Sequence, residues 1–210
     1  MLSPNRPSVH CPNGRRSAGF ALAGFTMIEL MVTIAIMAIL IALAVPSFRT
    51  LIINSRITTH ANELLAGLQL ARSEAIRSNA RAVLCASTNI STCTGGPNWT
   101  GGWIAFVDTD RNGNRNGAET ILRSGTIRAG TVVVNSAAIG AAGSVVFRSD
   151  GIARVGAGAL LAGRIGVCEP DINAGPLPQN QNVRQVSIGS GSRFAIIRAN
   201  APACAGAPPN

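Results

Sequence analysis

From Phe25 to Val45 the chain runs apolar for 21 residues, and Glu29 is the single charge within that run. At 1.5 Å per residue this is long enough for a helix to cross the roughly 30 Å hydrocarbon layer of a bilayer. Beyond Pro46 the pattern changes character. Ile57, Ala61, Leu64, Leu68, Ala71 and Ala75 recur at spacings of 4, 3, 4, 3 and 4, with Arg56, Glu63, Arg72, Glu74 and Arg77 interleaved. That is one apolar stripe on a helix whose other faces are polar, suited to lie against a soluble domain. Proline removes one backbone donor and kinks a helix, which membrane helices tolerate when neighbours compensate. The helix is therefore predicted to run from Phe25 to about Asn79. From Arg81 short β-rich runs alternate with Gly, Asn and Pro, at 82–87, 103–107, 120–123, 131–134, 145–148, 164–168, 183–188 and 193–198. Their spacing and turn chemistry predict antiparallel sheet. Gly and Ala dominate 137–143 and 153–163, which read as loops or sheet edges, and the tail 205–210 reads as disordered.

A lone carboxylate inside a membrane run costs about 2.5–3.5 kcal/mol on insertion scales, so Glu29 calls for a partner. Gly24 stands before Phe25, and Glu29 follows Phe25 by four residues. This arrangement resembles the processing site of type IV pilins and pseudopilins, as does a proline 21 residues after Phe25. The resemblance implies that a prepilin peptidase cuts after Gly24 and that Phe25 becomes a methylated N-terminus. It also implies that Glu29 pairs with the N-terminal amine of a neighbouring subunit as helices bundle into a filament. The rival is an uncleaved single-pass anchor that carries a glutamate. Further on, ANELLAGLQLARSEAIRSNARAVLCAS at 61–87, WIAFVD at 103–108 with the acidic, Asn/Gly-rich loop after it, and the region 183–204 are similar to the GspH/FimT branch.

The expected fold is thus α+β and type IV pilin-like, a long membrane-anchored N-terminal helix packed on an antiparallel β-sheet domain. The segments are a cleaved leader at 1–24, the helix at 25–79 with 25–45 in the membrane or filament core, a periplasmic β domain at 80–204, and the tail. The implied setting is the bacterial inner membrane, single pass, with incorporation into a filament beside other pilins or pseudopilins. The implied job is that of a minor subunit that primes or joins a type IV pilus-like filament. Alternatives are the type II secretion pseudopilus, DNA uptake in natural transformation, and a membrane-tethered binding domain that never polymerises.

Charge refines this picture. The chain carries +9, and every basic residue is arginine. Arg6, Arg15 and Arg16 lie in the leader, so its loss leaves +6. That basic, acid-free flank belongs in the cytoplasm by the positive-inside rule. It lacks the apolar core and small-residue cleavage site of a secretory signal. A basic surface suits DNA, anionic lipid or an acidic protein equally.

The mature chain keeps four cysteines, Cys85, Cys93, Cys168 and Cys204. Beyond a membrane, an even count reads as two disulfides, and of the three possible pairings Cys85–Cys93 and Cys168–Cys204 are favoured, as a local loop and a tail staple. Chain entropy assigns about 2.5 and about 4 kcal/mol to these loops. A four-cysteine zinc site would ordinarily show a C-x2-C pair, which this chain lacks.

Asp108, Asp110, Asn112, Gly113 and Glu119 match the calcium-loop pattern D-x-[DN]-x-[DN]-G-x5-E. Arg111 and Arg115 bring positive charge into that loop and β-rich sequence flanks it, so a plain hairpin loop is the competing reading. For DNA, the resemblance points to a C-terminal Gly-Arg-x-Arg motif that falls here on Ser192-Arg193-Phe194-Ala195. Arg193 alone survives, with Arg198 and Arg184 as replacement charge at other spacings. His60 is the histidine left outside the leader, and no Ser/His/Asp or Cys/His arrangement points to an enzyme.

Overall fold

Thr26 opens the long helix. Its hydroxyl accepts the Glu29 backbone N–H at 3.2 Å and its carbonyl accepts the Leu30 N–H at 3.1 Å, which makes it an N-cap with an acidic residue in the first turn. The computed structural model describes residues 24–155, 158–170, 182–199 and 204. Helix α1 spans Met27–Arg77, with Pro46 inside it, and starts two residues later and ends two earlier than expected. Its end is a Schellman motif. Asn79 takes φ +50°, the Ala80 N–H reaches the Ala75 carbonyl at 3.2 Å, and the Asn79 N–H reaches that of Ile76 at 3.3 Å. The leader up to residue 23 and the tail 205–210 lie outside the described residues.

The chain divides into two compact units, Met1–Leu43 and Ala44–Asn210. In the first, every large hydrophobic side chain from Phe25 to Leu43 is between 49% and 81% exposed, so nothing among the described residues of this unit covers them.

Among the described residues, the second unit holds the amphipathic part of α1 and ten strands. One sheet has the order β3-β2-β1-β5-β6-β7, from β1 (Arg81–Ala86), β2 (Trp103–Asp108), β3 (Ile121–Gly125), β5 (Ser144–Phe147), β6 (Ala153–Val155) and β7 (Ala159–Leu160). The other has the order β10-β9-β8-β4, from β4 (Val132–Asn135), β8 (Gly163–Cys168), β9 (Val183–Ile188) and β10 (Phe194–Ala199). Every named pairing is antiparallel. Segment 137–143 is a turn, whereas 153–163 supplies β6, β7 and the start of β8. There the Gly/Ala-rich composition hides a short edge hairpin, because small side chains weaken the alternation that marks a strand.

All six stripe residues of α1 are fully buried. They share one core with Leu84 of β1, Trp103 of β2, Phe147 of β5, Ile165 of β8 and Val186 of β9. Strand alternation gives β1 a second buried face, on which Val83 and Cys85 cluster with Ile104 and Phe106 of β2. Phe147 and Phe194 tie the two sheets edge to face, with ring centres 6.0 Å apart.

The tightest packing centres on Trp103, whose indole lies between Gly67 of α1 and Gly125 of β3. A Cβ placed on Gly67 would stand 2.6 Å from the ring, and one on Gly125 would stand 2.5 Å from it. Alanine exceeds glycine in helix propensity by about 0.8–1.0 kcal/mol, but overpacking a filled core costs about 1–3 kcal/mol. Gly67→Ala is therefore expected to lower the thermal midpoint of the full chain in detergent micelles, followed by circular dichroism. A raised midpoint would mean that the indole yields without cost.

Candidate functional site

At the start of α1, Gly24, Phe25 and Glu29 are all exposed. Gly24 has open space where a side chain would stand. Thr26 and Glu29 also form the T-x-x-E spacing of a capping box, a signal present in the sequence that the motif reading passed over. The helix N-terminus favours a carboxylate in the first turn, as Glu29 is here.

The four cysteines form two bonds, Cys85–Cys93 and Cys168–Cys204, separated by 8 and 36 residues. Cys85 is fully buried and belongs to the second face of β1, and Cys93 packs against that same cluster. The first bond therefore pins the loop after β1 over the side of the sheet turned away from α1.

The acidic loop joins β2 to β3. One oxygen from each of Asp108, Asp110 and Glu119 lies within 4.8 Å of the others. Asp108 and Glu119 are buried, whereas Asp110 is exposed. Asp108 Oδ2 meets Arg81 Nε at 3.2 Å and accepts the Gly113 N–H at 3.2 Å. Glu119 accepts the N–H groups of Thr109 at 2.8 Å and Asn116 at 3.1 Å. Asp110 accepts from the Asn112 N–H at 3.1 Å and from the Asn116 side-chain amide at 2.5 Å. Gly113 sits at φ +79°, a left-handed bend that suits glycine. Burial pushes the Asp108 carboxyl above the usual carboxylate range; Arg81 and the Gly113 N–H pull it down, while Glu119 and Asp110 add to the push.

The arginine segment forms the turn between β9 and β10. The Ser192 N–H reaches the Gly189 carbonyl at 2.7 Å, and the Gly189 N–H reaches that of Arg193 at 2.9 Å. Ser192 takes φ +54°, which explains why a glycine would suit this position. Serine stays there with two bonds: its hydroxyl accepts the Ala153 N–H at 2.6 Å, and its carbonyl accepts Arg72 Nη1 at 2.7 Å. Arg193 and Arg198 are exposed. They stand at the two ends of β10, about 17 Å apart at strand rise. Arg184 is buried opposite Arg198, and its burial lowers its pKa, with Arg198 adding to the effect.

His60 lies on α1 with Nδ1 3.3 Å from Glu63 Oε2. Both line a cavity of about 360 Å³ with Trp103, Arg123 and Arg128.

Residues 60–192, more than half of the chain, match the family described as type II transport protein GspH. Residues 23–45 match a prokaryotic N-terminal methylation motif, which includes Gly24, Phe25 and Glu29. Comparison with curated proteins finds no match. Among solved structures, the type IV minor pilin FimU of Pseudomonas aeruginosa superposes with a TM-score of 0.50 at 19% identity, covering 72% of this chain and 97% of that one. The minor pseudopilin EpsH from the type 2 secretion system of Vibrio cholerae gives 0.44 at 12% identity, covering 68% of this chain and 97% of that one. At such identities the likeness to FimU speaks of fold: one long N-terminal helix with antiparallel sheets.

Replacing Cys85 and Cys93 together by alanine is expected to cost about 2.5 kcal/mol from loop entropy, with a further loss from the space left at buried Cys85. Urea unfolding of the full chain in detergent measures this. A loss well under 1 kcal/mol would assign the loop's order to its other bonds.

Proposed function

We propose that this chain, which belongs to the GspH family, is a minor subunit of a type IV pilus-like filament, held by its N-terminal helix in the membrane until it is drawn into the helical bundle. The observation that carries this reading is the bare apolar surface of α1. Thirteen large hydrophobic side chains from Phe25 to Leu43 are about half or more exposed. Burying them is worth about 1.5–3 kcal/mol each, a total of about 20–40 kcal/mol. A chain with that surface needs lipid around it or other helices against it, and a filament supplies the second when the subunit leaves the first.

Processing follows from the same end of the molecule. A prepilin peptidase would cut between Gly24 and Phe25, and the freed amine of Phe25 would be the site of methylation. Glu29, four residues on, would then meet a neighbouring subunit's terminal amine, which matches charge to charge where lipid or packed helices raise the cost of leaving either alone. The basic leader would hold the N-terminus in the cytoplasm and place the β domain in the periplasm.

The family description favours type II secretion as the second reading, in which the same chemistry serves a pseudopilus. DNA uptake draws less support. Two exposed arginines at opposite ends of one strand would make separate phosphate contacts and not a paired clamp. A tethered domain that stays single would keep the all-round apolar surface of α1 in lipid and leave the Glu29 carboxylate there without a neighbouring amine to meet it.

Two kinds of substitution separate processing from assembly. Gly24→Leu is expected to leave residues 1–24 attached, which intact-mass spectrometry reads directly; normal cleavage would place the processing site elsewhere. Glu29→Gln keeps a residue able to cap the helix while removing the charge. It is expected to be cleaved and inserted normally, yet to be recovered with sheared filaments about tenfold less than wild type if the ion pair drives docking. Recovery at the wild-type level would remove the role of the charge.

A further inference from the structure

We propose that the loop from Asp108 to Glu119 binds a divalent cation, calcium, and so pins the β2–β3 hairpin. This rests on the loop's own residues and stands apart from the filament reading. Twelve residues carry oxygen donors at the first, third, fifth and last positions, with Gly113 sixth. In a loop of this kind those positions converge on one ion, the glycine making the bend that turns them inward.

The structure adds an observation that the spacing does not contain. The Asp108 side chain is fully buried, and Oδ2 is used by Arg81 and the Gly113 N–H. Oδ1 is buried without any hydrogen-bond partner. A buried carboxylate oxygen left unmatched is costly, and native structures rarely retain one without an ion or water to meet it. Asp108 offers an oxygen to the same cluster as Asp110 and Glu119, all within 4.8 Å. Three carboxylates so close repel one another, and Arg81 answers only Asp108 among them.

Of the two arginines that weaken the pattern in the sequence, Arg115 has its side chain turned to another task. Arg115 donates to the Glu119 carbonyl at 3.2 Å and to the carbonyl and hydroxyl of Ser91 at 3.1 and 3.2 Å, so its guanidinium is held on neutral oxygens. Arg111 presents its backbone carbonyl to Arg81 Nη1 at 2.8 Å. The donors are all oxygen, which suits a hard cation over zinc or copper. Calcium accepts flexible, irregular oxygen sets supplied by a loop, whereas magnesium demands near-ideal octahedral geometry, so calcium is the ion proposed. Exposed Asp110 is the side from which an ion would enter. The flanking elements are strands, so this would be a calcium loop closing a hairpin and not one joining two helices.

The test is equilibrium dialysis of the full chain in detergent micelles with calcium-45, run in parallel with Asp110→Asn and Glu119→Gln. About one calcium per chain is expected, with a dissociation constant on the order of 10⁻⁴ M, as in extracellular modules. Each substitution is expected to weaken binding about tenfold or more, since ligand charge sets the affinity of such loops. Because Asp110 is exposed, Asp110→Asn should fold normally, and its melting curve without calcium checks this. Calcium should raise the melting midpoint of the wild type and leave that of Asp110→Asn in place. No calcium retained at about 1 mM free ion, the range of the weakest such sites, would overturn the proposal. So would binding that neither substitution changes, or magnesium binding as tight as calcium.

Discussion

The burial of one helical stripe, Ile57 to Ala75, is what the β domain is built around. A stripe of leucine, isoleucine and alanine needs a surface of matching shape, and both sheets contribute to it: Leu84, Trp103 and Phe147 from one, Ile165 and Val186 from the other. Alanines at 61, 71 and 75 are small enough to let strands approach the helix closely. At Gly67 the approach is closer still, and the indole of Trp103 fills the room between that glycine and Gly125. Trp103 and Gly125 are also paired residues of β2 and β3, so the same contact fixes where those two strands meet.

The same helix meets a different requirement towards its N-terminus. There the residues are apolar on every side, and within Met1–Leu43 they remain exposed. A helix that is apolar all round is stable only when surrounded, by lipid or by other helices. One continuous element thus shows two patterns, striped where a domain covers one face and uniform where the surroundings must cover all of them. The proposed assembly chemistry lies at the end of the uniform part, where a freed amine and Glu29 would need each other most.

Two buried features of the second unit serve a different end. The bond from Cys85 to Cys93 lies on the side of β1 turned away from α1, so the sheet is covered on both faces despite the small size of the domain. Ser192 joins the turn before β10 to Ala153 of β6 and to Arg72 of α1, which links both sheets to the helix through one residue. Its left-handed backbone is held by those bonds, since a serine there has no intrinsic preference for that conformation.

The helix, its division into an all-apolar and a striped part, the main strands and the N-terminal motif are legible in the sequence alone. These are carried by periodicity and local spacing, and all six stripe residues are buried as the 3.6-residue period requires. Cysteine number and spacing likewise point to a local loop and a tail staple. Tertiary structure decided the rest. The edge hairpin of β6 and β7 is paired through its neighbours, which its Gly/Ala composition does not announce. Arginine spacing could not tell that Arg184 is buried while Arg193 and Arg198 are exposed at opposite ends of a strand, because pairing partners set which face is covered. Nor could the acidic loop's spacing show that Asp108 keeps one oxygen buried and unmatched. That depends on Arg81, 27 positions earlier in the chain, brought opposite Asp108 by the pairing of β1 with β2.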